Sequence, residues 1–189
     1  MRVRRLLPIL ILTTGCGFLS RSQSKIYELD RLPPAAAPAP VTGLPVAIDG
    51  IELPPGVDRK EVVVRRADHQ LDVRSAEQWS ASLQPLVLHT LASDLASRLP
   101  DGMMILPGAV KPTGAVRSID VVFEELAAGP DSTLTLDARW NVREPGRGTT
   151  AHHERITVPV ASLDSANVAT GLSQALAQLA DRMATEFTR

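Results

Sequence analysis

Cysteine is nearly absent from this 189-residue chain. Cys16 is the only one, so no internal disulfide can form, and a single thiol is too few for a zinc site built mainly on cysteine. Aromatic residues are almost as scarce, at 3%. A core has to be assembled from Leu, Val, Ile and Ala instead. No apolar run reaches the roughly 18 residues of a spanning helix. A surplus of positive charge is missing as well: 20 Lys and Arg face 21 Asp and Glu. That balance leaves no electrostatic footprint for nucleic acid. The patterns G-x-S-x-G, H-E-x-x-H, Walker A and the dinucleotide-binding glycines do not occur, so no enzyme class announces itself.

What is present begins at the N-terminus. Arg2, Arg4 and Arg5 precede a short apolar stretch, Leu6 to Leu12, interrupted by Pro8. Positive charge, a short apolar stretch and then small residues is the layout of a secretory signal. The run Thr13-Thr14-Gly15-Cys16 resembles the lipobox of bacterial lipoproteins, in which Leu, a small residue and Gly or Ala precede the cysteine. Thr13 stands where that pattern has Leu. The resemblance implies cleavage between Gly15 and Cys16, alkylation of the thiol with diacylglycerol and acylation of the new amine. One acyl chain holds a protein only marginally, whereas several make a durable anchor. Gly17 rather than Asp follows the cysteine, which by the same resemblance sends the protein to the outer membrane of a Gram-negative cell, facing the periplasm.

Cleavage there leaves 174 residues, with 17 basic against 21 acidic side chains. Three parts are expected: a signal peptide over 1–15, a lipidated tether over 16–24, and a single domain over 25–189. No basic patch for anionic lipid is legible, so the bond to the membrane is expected to be covalent. No cofactor or metal is expected.

Within the domain, "KIYEL" (25–29) reads as a first strand. Five prolines over 32–45 exclude a helix interior or a central strand. "VAIDGIELP" changes its apolar phase at Asp49-Gly50, as a bulged strand does. "EVVVRR" (61–66) is β-branched, and "ADHQLDVR" offers it a short hairpin partner. "SAEQ" (75–78) has the spacing of a capping box ahead of Trp79, Leu83, Leu86, Val87, Leu91 and Leu95, which predicts a helix, with Pro85 kinking it or setting a start near Gln84. "MMILP" (103–107) is a short apolar strand. Three alternating runs follow, around Ile119, Val121 and Phe123, then Leu134 to Val142, then Ile156 to Val160, and predict an antiparallel meander. Val168, Leu172, Leu176, Leu179, Met183 and Phe187 form a helical stripe capped by Asp164. One-sided strands plus two one-sided helices predict an α+β two-layer sandwich, its sheet largely antiparallel and both amphipathic helices on one face.

Few residues suggest chemistry. His152 and His153 are adjacent, so on a strand they point to opposite faces and cannot share a metal. Glu124 and Glu125 are expected to diverge in the same way, with no partner marking an acid–base pair. Trp140 shares the phase of Leu134 and Leu136 and belongs in the core. Trp79, near the expected helix start, is the candidate anchor of a partner interface.

The lipobox at Cys16, the "KIYEL" strand, "VAIDGIELPPGVDRKEVVVRR", the Trp-containing helix of "EQWSASLQPLVLHTLASDLASRLP", and the later "VFEEL", "LDARW" and "LSQALAQLADRMA" together resemble the ABC-type transport auxiliary lipoproteins, the PqiC-like family once known as a domain of unknown function. That resemblance covers nearly the whole mature chain. It implies a non-catalytic lipoprotein, palmitoylated in the outer membrane, that works with MCE-domain (mammalian cell entry) proteins and an ABC-type or related permease to move phospholipid or other hydrophobic compounds. Docking of protein on protein is the expected mode of action, with a homo-oligomer as a further expectation. The alternative is a lipoprotein chaperone or plug of an outer-membrane assembly or export machine.

Overall fold

Alternation of apolar and polar residues decides most of the architecture. The computed structural model describes residues 23–34, 41 and 43–187; the signal segment, Cys16 and the tether before residue 23 lie outside the described residues. In chain order the elements are β1 (Lys25–Tyr27), β2 (Val46–Glu52), β3 (Glu61–Arg65), β4 (Leu71–Trp79), α1 (Leu83–Arg98), β5 (Met104–Ile105), β6 (Arg117–Ala128), β7 (Thr133–Glu144), β8 (Gly148–Pro159) and α2 (Ser165–Phe187). They form a five-stranded sheet of order β5-β2-β6-β7-β8 and a three-stranded sheet of order β1-β4-β3. The α+β sandwich is therefore as read, with a difference in its sheets. β6, β7 and β8 are the antiparallel meander, but β2 pairs in parallel with both β5 and β6, and β1 in parallel with β4. Parallel neighbours need a long crossover. Between β2 and β6 it is supplied by β3, β4, α1 and β5.

Inward residues of the large sheet are buried: Ile119, Val121, Phe123 and Leu126 on β6, Leu134, Leu136, Ala138 and Trp140 on β7, Ile156 and Val158 on β8. Against them lie Val87, Leu91 and Leu95 of α1 and Leu172, Leu176, Leu179 and Met183 of α2. The α2 start is capped as expected, with the Asn167 N–H donating to Asp164 Oδ1 at 2.9 Å. The bulge of β2 falls between Ile48 and Gly50, where its phase changed.

The segment 75–78 is corrected by the structure. Ser75 to Gln78 belong to β4, not to a helix cap. β1 takes the backbone groups of Glu77 to Trp79 on one side, and β3 pairs with β4 on the other, so pairing on both sides overrides a local capping pattern. The helix starts at Leu83 instead, where Gln84 N–H donates to Asp58 Oδ1 at 3.0 Å, and Pro85 sits in the first turn, where its missing donor costs little.

The helix layer approaches the sheet closely at one position. A Cβ added to Gly171 of α2 would stand 2.6 Å from Val160 Cγ1. Gly171→Ala gains about 1 kcal/mol in helix propensity but incurs about 1–3 kcal/mol of overpacking against a stiff valine. A net loss of about 1 kcal/mol in urea unfolding is expected. In a Val160→Ala background the same change should become neutral or stabilising.

Candidate functional site

The outer face of the large sheet carries a cluster of ion pairs, assembled by one irregularity. A bulge in β6 between Phe123 and Glu125 leaves Phe123 and Leu126 pointing inward and turns both Glu124 and Glu125 outward. The expected divergence of these two carboxylates is thus corrected, because one extra residue in the strand breaks the two-residue alternation. Arg139 Nε lies 2.6 Å from Glu124 Oε1. Glu125 accepts from Arg65 Nη1 of β3 at 2.6 Å and from Arg155 Nη2 of β8 at 3.1 Å. Arg155 Nη1 also donates to Asp137 Oδ2 at 2.6 Å, and His153 Nε2 lies 2.6 Å from Asp137 Oδ1. The network joins the small sheet to the large one through Arg65.

Glu124, Asp137 and His153 offer donor atoms within 4.8 Å of one another, the spacing of a metal-ligand triad. Arg139 and Arg155 already oppose the two carboxylates, so the charge a cation would neutralise is met by guanidinium groups. Burial would raise the Asp137 carboxyl, but the bonds from His153 and Arg155 outweigh it and hold this group below the usual carboxylate range. The arrangement fastens strands together.

The two histidines do point apart. His152 stacks on Trp140 across the β7–β8 ladder, ring centroids 4.0 Å apart and planes 13° from parallel, while His153 faces Asp137 outside. Trp140 is in the core as its phase implied. Trp79 is corrected: at 2% exposure its indole lines the core beside Val57, Leu83, Leu126 and Val168 and is not presented to a partner. It closes β4, its backbone N–H donating to Lys60 O at 2.7 Å, rather than opening a helix.

A second constellation, absent from the sequence reading, ties the chain just past β1 to both helices. Ser173 Oγ of α2 accepts from the Asp30 N–H, and Asp94 Oδ1 of α1 accepts from the Leu32 N–H, both at 2.9 Å. Arg98 Nη1 donates to Leu32 O at 3.2 Å and Arg98 Nε to Asp181 Oδ1 at 2.5 Å. Asp94 is fully buried, and its Oδ2 has no hydrogen-bond partner among the described residues. Burial therefore pushes its carboxyl up to about 6, against the pull of the Leu32 N–H and of the Arg98 and Arg31 charges, with Asp181 adding to the rise.

The folded protein holds the Asp94 proton more tightly than the unfolded chain, so the contribution to stability falls as pH rises from about 4 through about 6. Acidifying from pH 7 to pH 5 is expected to restore about 1 kcal/mol from this group. Asp131, Asp137, Asp164 and Glu77 are lowered, so what they contribute is lost only at more acid pH. Chemical denaturation at several pH values should show Asp94→Asn flattening the slope between pH 5 and pH 7.

Among the described residues no helix is long and apolar enough to cross a membrane. Comparison with known families matches residues 27–184 to the one described as "ABC-type transport auxiliary lipoprotein component". A search of curated proteins finds no match. Among solved structures, the crystal structure of an uncharacterized protein superposes with a TM-score of 0.70 at 18% identity, over 87% of this chain and 98% of that one. A DUF330-family protein from Xanthomonas campestris gives a TM-score of 0.62 at 14% identity, over 84% of this chain and 92% of its own. At these identities the likeness is one of fold.

Proposed function

The chain belongs to the ABC-type transport auxiliary lipoprotein component family, and from that premise we propose that it is an outer-membrane lipoprotein, anchored through Cys16, that docks the distal end of an MCE-type conduit carrying phospholipid or other hydrophobic compounds. The observation that carries this reading is the family match, which runs from the last residue of β1 to nearly the end of α2. Supporting it, the outer face is laced with carboxylate–guanidinium pairs that hold strands together. The domain acts as a rigid adaptor, and the energy for transport is supplied by a partner ATPase.

The test is purification of the tagged protein from native membranes under mild detergent. An MCE-domain subunit is expected to accompany it, and deletion of the gene is expected to disturb the lipid asymmetry of the outer membrane. Recovery of a β-barrel without an MCE subunit would favour the chaperone or plug reading. Recovery of neither, with asymmetry intact, would end the docking account.

A further inference from the structure

Resting on the anchored reading above, we propose that the pole of the domain nearest the anchor touches the membrane, and that a cleft there receives the phosphate of a phospholipid headgroup. Lys25, where β1 begins, follows Cys16 by nine residues. Fully extended, that stretch reaches about 30 Å, so the start of β1 stays close to the bilayer that holds the acyl chains. Lys25 Nζ lies 3.6 Å from Glu77 Oε1, and Arg74 Nη1 lies 3.4 Å from Glu77 Oε2. Arg74 in turn lines a cleft of about 350 Å³ between the β3–β4 hairpin and the turn joining β6 to β7. The domain end of the tether, at Lys25, and this cleft thus share one pole.

The cleft wall is suited to a phosphate. Arg65, Arg66 and Arg74 line it, with Asp72 as its acidic member and Pro130 and Leu163 as apolar ones. Arg74 is committed to the fold: it donates to Ser165 Oγ at 2.8 Å and to Leu163 O at 2.5 Å. Arg65 is committed to Glu125. Arg66 has no acidic partner among the described residues, yet its backbone is fixed, since its N–H donates to Gln70 O at 2.9 Å to close the hairpin. A guanidinium so placed matches phosphate oxygens through two parallel donors. On the same hairpin Leu71 and Val73 are 42% and 39% exposed, apolar surface of the kind that settles at the boundary between headgroups and acyl chains. Net charge hides the site, because the three arginines are drawn from a chain whose charges balance overall. A lipid surface is the occupant that the tether length brings within reach.

The lipidated, full-length mature protein provides the test. Its one native thiol is consumed by the thioether, so a single introduced cysteine can be labelled uniquely. Ala67→Cys places a fluorophore at the cleft; Thr149→Cys places one on β8 beside the β7–β8 turn, at the far end of the twelve-residue β7. In vesicles of phosphatidylethanolamine and phosphatidylglycerol containing a headgroup nitroxide, quenching is expected at position 67 and not at 149. Arg66→Glu should reduce it about fivefold, and vesicles of uncharged glycolipid should abolish it although the anchor still holds. Equal quenching at both positions, or quenching indifferent to Arg66→Glu and to the loss of phosphate, overturns the headgroup contact while leaving the anchor standing. Protein that fails to float with the vesicles at all overturns the anchored reading, and this inference with it.

Discussion

Cys16→Ser is expected to remove the protein from the outer membrane. A serine hydroxyl is a far weaker nucleophile than a thiolate and forms no thioether, so neither the diacylglyceryl group nor, after it, the third acyl chain is added. Each buried methylene contributes about 0.8 kcal/mol, which makes one chain a marginal, reversible hold and several chains a durable one. Among the described residues no helix is long and apolar enough to span a bilayer in place of the lost chains. Arginines at the cleft add at most about 1 kcal/mol each near an anionic surface, far too little to retain the domain alone. Labelled palmitate should enter the wild type and not the variant. Density-gradient fractions should show the wild type with outer-membrane markers and the variant elsewhere. Equal palmitate incorporation in the two proteins would refute the assignment of Cys16.

The strands could be read from sequence where one face is buried and the other wet. Leu134, Leu136, Ala138, Trp140 and Val142 stand in strict alternation, and they are the inward row of β7. The α2 stripe was equally plain, since its apolar residues recur at helical spacing and its cap lies next to them in sequence. Harder were features decided by neighbours distant in sequence. A capping pattern at 75–78 competes with pairing to β1 and β3, which come from residues 25–27 and 61–65, and pairing wins. The parallel pairs of β2 follow from a crossover that no local signal encodes. The β6 bulge did leave a trace: inward residues run 119, 121, 123 and then 126, 128, a shift from odd to even at Glu124. With that shift noticed, the two glutamates fall on one face. Of the candidate residues, Trp140 lay where its phase put it, whereas Trp79 went to the core because it ends a strand.

The pinning of residues 30–32 to the helices also had a sequence signal, and it leads to the second large effect. Asp94 and Arg98 fall in phase with Val87, Leu91 and Leu95 on α1, two charges within the apolar stripe. Charged groups in that position are almost never fully buried unless paired. Both are nearly or fully inaccessible here, at 5% for Arg98 and 0% for Asp94. Arg98 links three things: α1 through the Asp94 carbonyl, α2 through Asp181, and the N-terminal segment through Leu32 O. Arg98→Met fills a similar volume but leaves Asp94 buried without its nearest cation and Leu32 O without this donor. Breaking a buried pair from one side costs about 3–5 kcal/mol. For a chain of this size that corresponds to a fall of roughly 10 °C in Tm. Adding Asp94→Asn removes the stranded charge and should recover about half of the loss, because the two residues are coupled and their effects do not sum. Hydrogen exchange supplies the local reading: in Arg98→Met the amides of Asp30 and Leu32 should lose protection while those of β7 keep theirs. Unchanged exchange at Leu32 with unchanged Tm would show that Asp94, Ser173 and β1 hold the segment without Arg98, and would overturn the role given to this arginine.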